Sequence, residues 1–239
     1  MDRREGQTEM KTIPGFKYRE DSGADIRNFS EALNGWKFLT FPGAARTLDL
    51  GAHIGVFAYM AAPKSRKILC IEPSTESYEL LAQNVELIKT LYPKLKIETL
   101  RVAAVQNDLD RKMVQIYQKK NSETSDTLIP TRGRIGSPAL GVSITSLCKT
   151  FKPTTVKCDI EGSEYSILPE ILSFKTILEI GVEFHRIQQP DYLRQAKAIH
   201  ETIISNWGGA EVVKQPVFDK KYWHTIAVYR VRSPKLQGI

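Results

Sequence analysis

The chain has 239 residues, 41% hydrophobic and 26% charged, which excludes disordered and fibrous classes and suffices for one α/β domain with a full core. Its formal charge of +7 suits anionic partners, but the basic groups at Lys119-Lys120, Arg132 and Arg134, and Lys220-Lys221 are scattered, whereas a nucleic-acid footprint concentrates them on one element. No apolar run is long enough to span a membrane, the polar start Met1 to Gln7 has no signal core, and Cys70, Cys148 and Cys158 form no C-x-x-C pair, so the expectation is a cytoplasmic protein without a zinc site or disulfide framework.

Residues 1–12 read as a flexible N-terminus and 13–239 as one domain, of which 13–45 form an N-terminal cover. Within the cover, Ile26, Phe29 and Leu33 recur at helical spacing from Asp25 to Leu33, and Asn34-Gly35 stops the helix. Arg46 to Leu50 is a β-type run ending in a Gly-rich turn, followed by a helix from Ile54 to Ala62 that ends at Pro63. Lys67 to Glu72 is a second strand, and Pro73-Ser74 starts a helix carrying Leu80, Leu81, Val85 and Ile88. Runs from Lys96 to Val105 and Lys112 to Tyr117 extend the strand set, and residues 119–140, polar and broken by Gly and Pro, read as an exposed loop on the acceptor side. Val156 to Ile160 is a buried strand, Tyr165 to Phe174 a helix despite Pro169, Thr176 to His185 a strand and Pro190 to Ile204 a helix. Ala210 to Val217 and Trp223 to Val231 alternate as a closing hairpin, so the fold class expected is α/β, a doubly wound, mostly parallel sheet with an antiparallel C-terminal hairpin.

In open α/β sheets ligands bind beyond the carboxyl ends of the strands, and the first strand-to-helix turn meets the cofactor. Here that turn is Asp49-Leu50-Gly51-Ala52-His53-Ile54-Gly55. Its glycines permit unusual dihedrals and close approach of a ligand, Asp49 offers an acceptor to a cofactor amine, and the amides of the following helix point at a carboxylate. The G-x-x-x-G spacing departs from G-x-G-x-x-G and fits a dinucleotide pyrophosphate poorly. Glu72 ends the second strand about 20 residues downstream, where a carboxylate binds both hydroxyls of a ribose. Asp49, Gly51, Ala52, His53, Gly55, Glu72 and, on the third run, Ala103 are the expected cofactor set.

Together these residues resemble the FkbM family of S-adenosylmethionine-dependent methyltransferases. The likeness runs from about Tyr18 to His185, through Thr47 to Gly55, Ile71-Glu72-Pro73-Ser74 with Leu80 to Val85, the signature Val156-Lys157-Cys158-Asp159-Ile160-Glu161-Gly162-Ser163-Glu164, and Val182-Glu183-Phe184-His185. The resemblance implies a Rossmann-like class I methyltransferase fold, S-adenosyl-L-methionine as cofactor and, for many members, O-methylation of a sugar or polyketide hydroxyl. His53 departs from the family, which usually has Asn there. Arg19 to Asp25 also looks like a family element, which makes Arg19 and Asp25 substrate-pocket candidates.

Methyl transfer is an in-line displacement, so the protein must align an acceptor oxygen and remove its proton. Asp159 and Glu161 lie two apart at one strand end and Glu183 and His185 repeat the pattern on the next, so all four are candidate catalytic residues. The same groups supply an oxygen and imidazole set for a divalent cation, with Asp159, Glu183 and His185 as its ligands. Helix capping is the plainer role for Asp159 and Glu161, a satisfied core or surface residue that for His185, and His200 and His224 have nothing beside them in sequence that raises them above it. Lys157, inside a buried strand, needs a carboxylate partner. The leading function is methylation of a carbohydrate or other small-molecule hydroxyl; a nucleic-acid methyltransferase and a catalytically inactive cofactor-binding partner subunit are the alternatives. No motif encodes the acceptor, the metal dependence or the oligomeric state.

Overall fold

Alternation along β1 (Ala45–Leu50) sends Leu48 and Leu50 to one face of a sheet and Thr47 and Asp49 to the other. The computed structural model describes residues 13–19, 23–119, 127–130, 134–186, 191–207, 210–219 and 224–231, and the expectation for residues 1–12 lies outside them. Ahead of β1 runs α1 (Gly23–Trp36), and after it come α2 (Val56–Ala61), β2 (Ser65–Ile71), α3 (Thr75–Leu91) and β3 (Lys96–Leu100). The chain continues through β4 (Ala103–Val105), β5 (Met113–Lys119), β6 (Arg134–Ser143), α4 (Ile144–Phe151), β7 (Thr155–Cys158), α5 (Glu164–Ile171) and β8 (Glu179–His185). It closes with α6 (Tyr192–Asn206), β9 (Glu211–Lys214) and β10 (His224–Arg230).

Seven strands form the main sheet in the order β3-β2-β1-β7-β8-β10-β9. The pairs from β3 to β8 are parallel, and β10 runs antiparallel to both β8 and β9, which is the expected Rossmann-like sheet with an antiparallel C-terminal end. One face packs against α1, α2 and α3 through Trp36, Phe57, Leu81, Val85 and Ile88. The other packs against α4, α5 and α6 through Leu147, Ile167, Leu168 and Ile203, so the sheet is doubly wound. The strand order reverses direction between β1 and β7, whose ends meet at the pair Leu50 and Cys158; such a switch point opens a crevice outside the carboxyl ends.

Two sequence expectations are corrected. The run from Lys96 to Val105 is not one strand: it breaks at Arg101-Val102, and β4 leaves the main sheet to pair in parallel with β6. Residues 119–140 are not all loop, since β6 pairs with β5 in antiparallel register from Met113 and Leu140 to Lys119 and Arg134. Gly and Pro in β6 serve packing rather than turns. A Cβ on Gly141 would stand 2.9 Å from the Leu109 carbonyl oxygen, and Pro138 lies where β6 has no partner from β4. The segment α4 escaped sequence reading because its start, a Ser143 hydroxyl accepting the Ser146 amide at 3.0 Å, sits at the end of a strand read as loop. Among the described residues no helix is long and apolar enough to cross a membrane.

Candidate active site

The turn after β1 is closed by two amides, Gly51 and Ala52, both donating to the Ile71 carbonyl at 3.0 Å. Gly51 has φ +74°, and a Cβ there would lie 1.8 Å from the Asp159 carbonyl oxygen. Gly55 has φ +94°, and a Cβ would meet Leu81 Cδ1 at 2.9 Å. Close approach to the Asp159 backbone therefore requires Gly51, and the left-handed φ favours glycine at 55, apart from any ligand. Between them His53 adopts φ +51°, a left-handed conformation that Asn tolerates better than most residues, and its amide donates to Glu72 Oε2 at 2.8 Å. The other Glu72 oxygen accepts the Ser74 amide at 2.9 Å, so this carboxylate ties the turn to the start of α3 while 6% of the residue stays open. The helix α2 that follows the turn has six residues, too short for its amides to form an anion site by themselves.

The N-terminal cover reaches this turn directly. Arg19 donates to Asp25 Oδ1 at 2.9 Å and to the Ser77 hydroxyl at 2.6 Å, and its second terminal nitrogen lies 3.1 Å from His53 Nε2. Asp25 is fully buried and also accepts the Arg19 amide at 2.9 Å. Asn84 on α3 clamps the same strap, accepting the Lys17 amide at 2.6 Å and donating to the carbonyls of Lys17 and Ile54 at 3.0 and 2.8 Å. Arg19 and Asp25 thus face the expected cofactor turn.

Across the switch point, Lys157 of β7 is buried between Asp49 Oδ1 at 3.3 Å and Asp159 Oδ2 at 3.2 Å. It donates to the Gly51 carbonyl at 2.5 Å, and its ammonium sits 5.8 Å from the Trp36 ring centroid and 5.9 Å from that of Phe57. Burial works against this charge, but Asp159 and Asp49 outweigh it and raise the Lys157 pKa, so the ammonium persists. Asp49 is fully buried with the Lys157 ammonium as its partner; burial lifts its pKa against the pull of Lys157. It lies under the turn as a partner of Lys157.

Asp159 and Glu161 follow β7 in an irregular stretch in which Glu161 and Gly162 have φ of +53° and +103°. They do not cap α5, whose cap is Ser163; Glu164 instead accepts the Gly162 amide at 2.8 Å and, from β8, the His185 amide at 2.7 Å. The Nε2 atom of His185 stands 3.6 Å from Asp159, 3.7 Å from Glu161 and 3.8 Å from Glu183, while its Nδ1 faces Glu164 at 3.3 Å. The four residues named as catalytic candidates are therefore brought together. Burial lowers the His185 pKa less than Glu161 and Glu164 raise it, so it lies well above the usual histidine value. Burial pushes Glu161 up to about 7, whereas Asp159 falls below the usual carboxylate range because Lys157 and His185 outweigh its burial.

The structure adds His224, which comes from β10 directly opposite His185, with its Nδ1 hydrogen-bonded to Glu183. No local pattern marks it, because its partners are 39 and 41 residues away and meet it only through antiparallel register. Glu164 also joins the site, and Tyr165 donates to the His185 carbonyl at 2.6 Å. His200 stays outside, against the Tyr229 hydroxyl at 2.7 Å. Ala103 is buried in β4 beside Val105, Ile116 and Ala139. Glu179, at the opposite end of β8, shows what a structural carboxylate looks like here: it accepts from Thr40, Phe41 and Arg230 at 2.9 to 3.0 Å. Of the carboxylates around His185, Glu164 is fixed in the same way by the Gly162 and His185 amides, whereas Asp159 and Glu161 face side-chain cations.

No protein-family model matches the chain, and no curated protein matches it. Similar solved structures include the methyltransferase FkbM from Methylobacillus flagellatus KT, with 20% identity over 81% of this chain and 45% of that one and a TM-score of 0.49. EvdMO1 shares 17% identity over 95% of this chain and 45% of its own, at a TM-score of 0.47. The tRNA m1G37 methyltransferase of M. jannaschii shares 11% over 85% and 49%, at a TM-score of 0.44. The chain spans less than half the length of each of these three.

Proposed function

We propose that the chain is an S-adenosylmethionine-dependent methyltransferase that acts on a hydroxyl oxygen of a carbohydrate or similar small molecule. The observation that carries this reading is the adjacency of two features at one switch point: the Gly51 to Gly55 turn with Glu72, and the carboxylate group headed by Asp159, whose own carbonyl abuts Gly51. The residues fit the cofactor. Glu72 stands at the end of β2, where a carboxylate suits ribose hydroxyls, and the carboxylates beside the turn suit a positive sulfonium. When bound, this cofactor supplies an electrophilic methyl group.

Asp159 is the base of the proposal. Lys157 and His185 hold it ionised, 26% of its side chain is open, and its carboxylate accepts the proton of the acceptor hydroxyl as the oxygen attacks. Glu161 and Glu183 position the acceptor and His185 keeps the carboxylates in place. Arg19 and Asp25 hold the cofactor turn through His53, a role that agrees with their contacts better than substrate binding.

The test is transfer of labelled methyl from S-adenosylmethionine to panels of deoxysugars, glycans, nucleotides and RNA. Transfer to a sugar hydroxyl, unchanged between low and high salt, is expected, with Asp159→Asn abolishing turnover and retaining cofactor binding. Transfer to RNA that weakens steeply with salt would replace the acceptor class, and full turnover by Asp159→Asn would remove the base.

A further inference from the structure

The geometry points to a binding site for a borderline divalent cation of the Zn2+ or Co2+ type, ligated by Glu183 and His185 of β8 and His224 of β10. The ligand atoms of these three residues lie within 4.8 Å of one another. Antiparallel pairing makes His185 and His224 direct partners on one face of the sheet, and period-two alternation puts Glu183 on the same face. Two rigid strands thus present two imidazoles and one carboxylate to a common point, the donor set that favours zinc-like or first-row transition ions over Mg2+ and Ca2+, which take oxygens.

Two further observations converge on this point. The Nε2 atom of His185 is beyond hydrogen-bonding distance of Glu183, at 3.8 Å, a separation of ligand-to-ligand size, while Asp159 and Glu161, at 3.6 and 3.7 Å from the same atom, form a second group of candidate ligands that Asp159→Asn separates from this one. Its Nδ1 faces Glu164 at 3.3 Å, and Glu164 is fully buried and fixed by the amides of Gly162 and His185, as is the outer carboxylate behind a metal-bound histidine. The charge balance agrees: Asp159, Glu161, Glu164 and Glu183 all face the His185 ring, Asp159 also pairs with Lys157, and carboxylates in excess of the cations beside them favour a bound cation. The site differs from the set expected from sequence, because His224 takes the place of Asp159, leaving Asp159 beside the ion and free to act as base.

The test is a titration of chelator-treated full-length protein with Co2+, followed by visible absorption, and with Zn2+ by calorimetry. It needs neither S-adenosylmethionine nor an acceptor, so it succeeds or fails separately from the methyl-transfer reading. A single equivalent of Co2+ with a ligand-field band is expected, displaced by Zn2+ and untouched by millimolar Mg2+. His224→Ala, at a side chain 52% exposed and so tolerant of truncation, should weaken Co2+ by about tenfold or more, as should Glu183→Gln. His200→Ala should change nothing. Absence of a Co2+ band in the wild-type protein would overturn the proposal, as would a band lost in Asp159→Asn and unaffected in His224→Ala.

Discussion

Replacing Lys157 with Met removes the one cation that Asp49 touches among the described residues. Asp49 is fully buried and has Lys157 Nζ 3.3 Å from its carboxylate. Without Lys157 the cheapest course is for Asp49 to take up a proton; because burial already raises its pKa above the ordinary value near 3.9, doing so at pH 7 costs at most about 4 kcal/mol, of the order of the roughly 3–5 kcal/mol typical of a broken buried pair. In a domain of this size that lowers Tm by about 10 °C. The same arithmetic makes the loss dependent on pH, falling to at most about 1.5 kcal/mol at pH 5, because less free energy is then needed to protonate Asp49. Urea unfolding followed by circular dichroism at both pH values measures this, with an unchanged m-value marking an intact two-state transition. The double variant Lys157→Met/Asp49→Asn should recover most of the loss at pH 7. A single variant destabilised by less than about 1 kcal/mol, or equally at both pH values, would refute the reasoning that Lys157 is what keeps Asp49 charged.

Gly51→Ala should destabilise by about 3 kcal/mol or more, since its Cβ would stand 1.8 Å from the Asp159 carbonyl oxygen at a φ of +74°; a melt within 2 °C or so of wild type would show that the turn relaxes freely. Glu72→Gln should weaken S-adenosylmethionine about tenfold or more by calorimetry, through loss of a charged acceptor for the ribose hydroxyls, and unchanged affinity would move the cofactor away from β2. Glu161 is raised from 4.5 to about 7 by burial, so its contribution to stability is complete below pH 4.5 and is lost as pH rises through about 7. Glu161→Gln should therefore flatten the decline in Tm across that interval, by about 3 kcal/mol at most, and a decline identical to wild type would place its origin elsewhere.

Period-two alternation, Gly-rich turns and strand-end carboxylates are local signals, and they determined the α/β class, most of the strands and helices along the chain and the residues proposed for the two halves of the site. Val156 to Glu164 could be read as a buried strand followed by clustered acids, and Lys157 as a cation in need of a partner, because a buried charge demands one wherever it lies. The partner's identity was a matter of strand neighbours, and β1 beside β7 is what brings Asp49 to Lys157. Tertiary structure alone decided the reason for Gly51, which is the nearness of Asp159 across the switch point, and the inclusion of His224, whose partners are distant in sequence and adjacent only through the β8 and β10 register. It also turned an apparent loop into β6, since glycine at 141 answers a close backbone approach that no local pattern records. Local chemistry is written in neighbouring residues, whereas register and close approach are properties of the packed chain, which is why the residue types of the site were legible in order and their contacts were not.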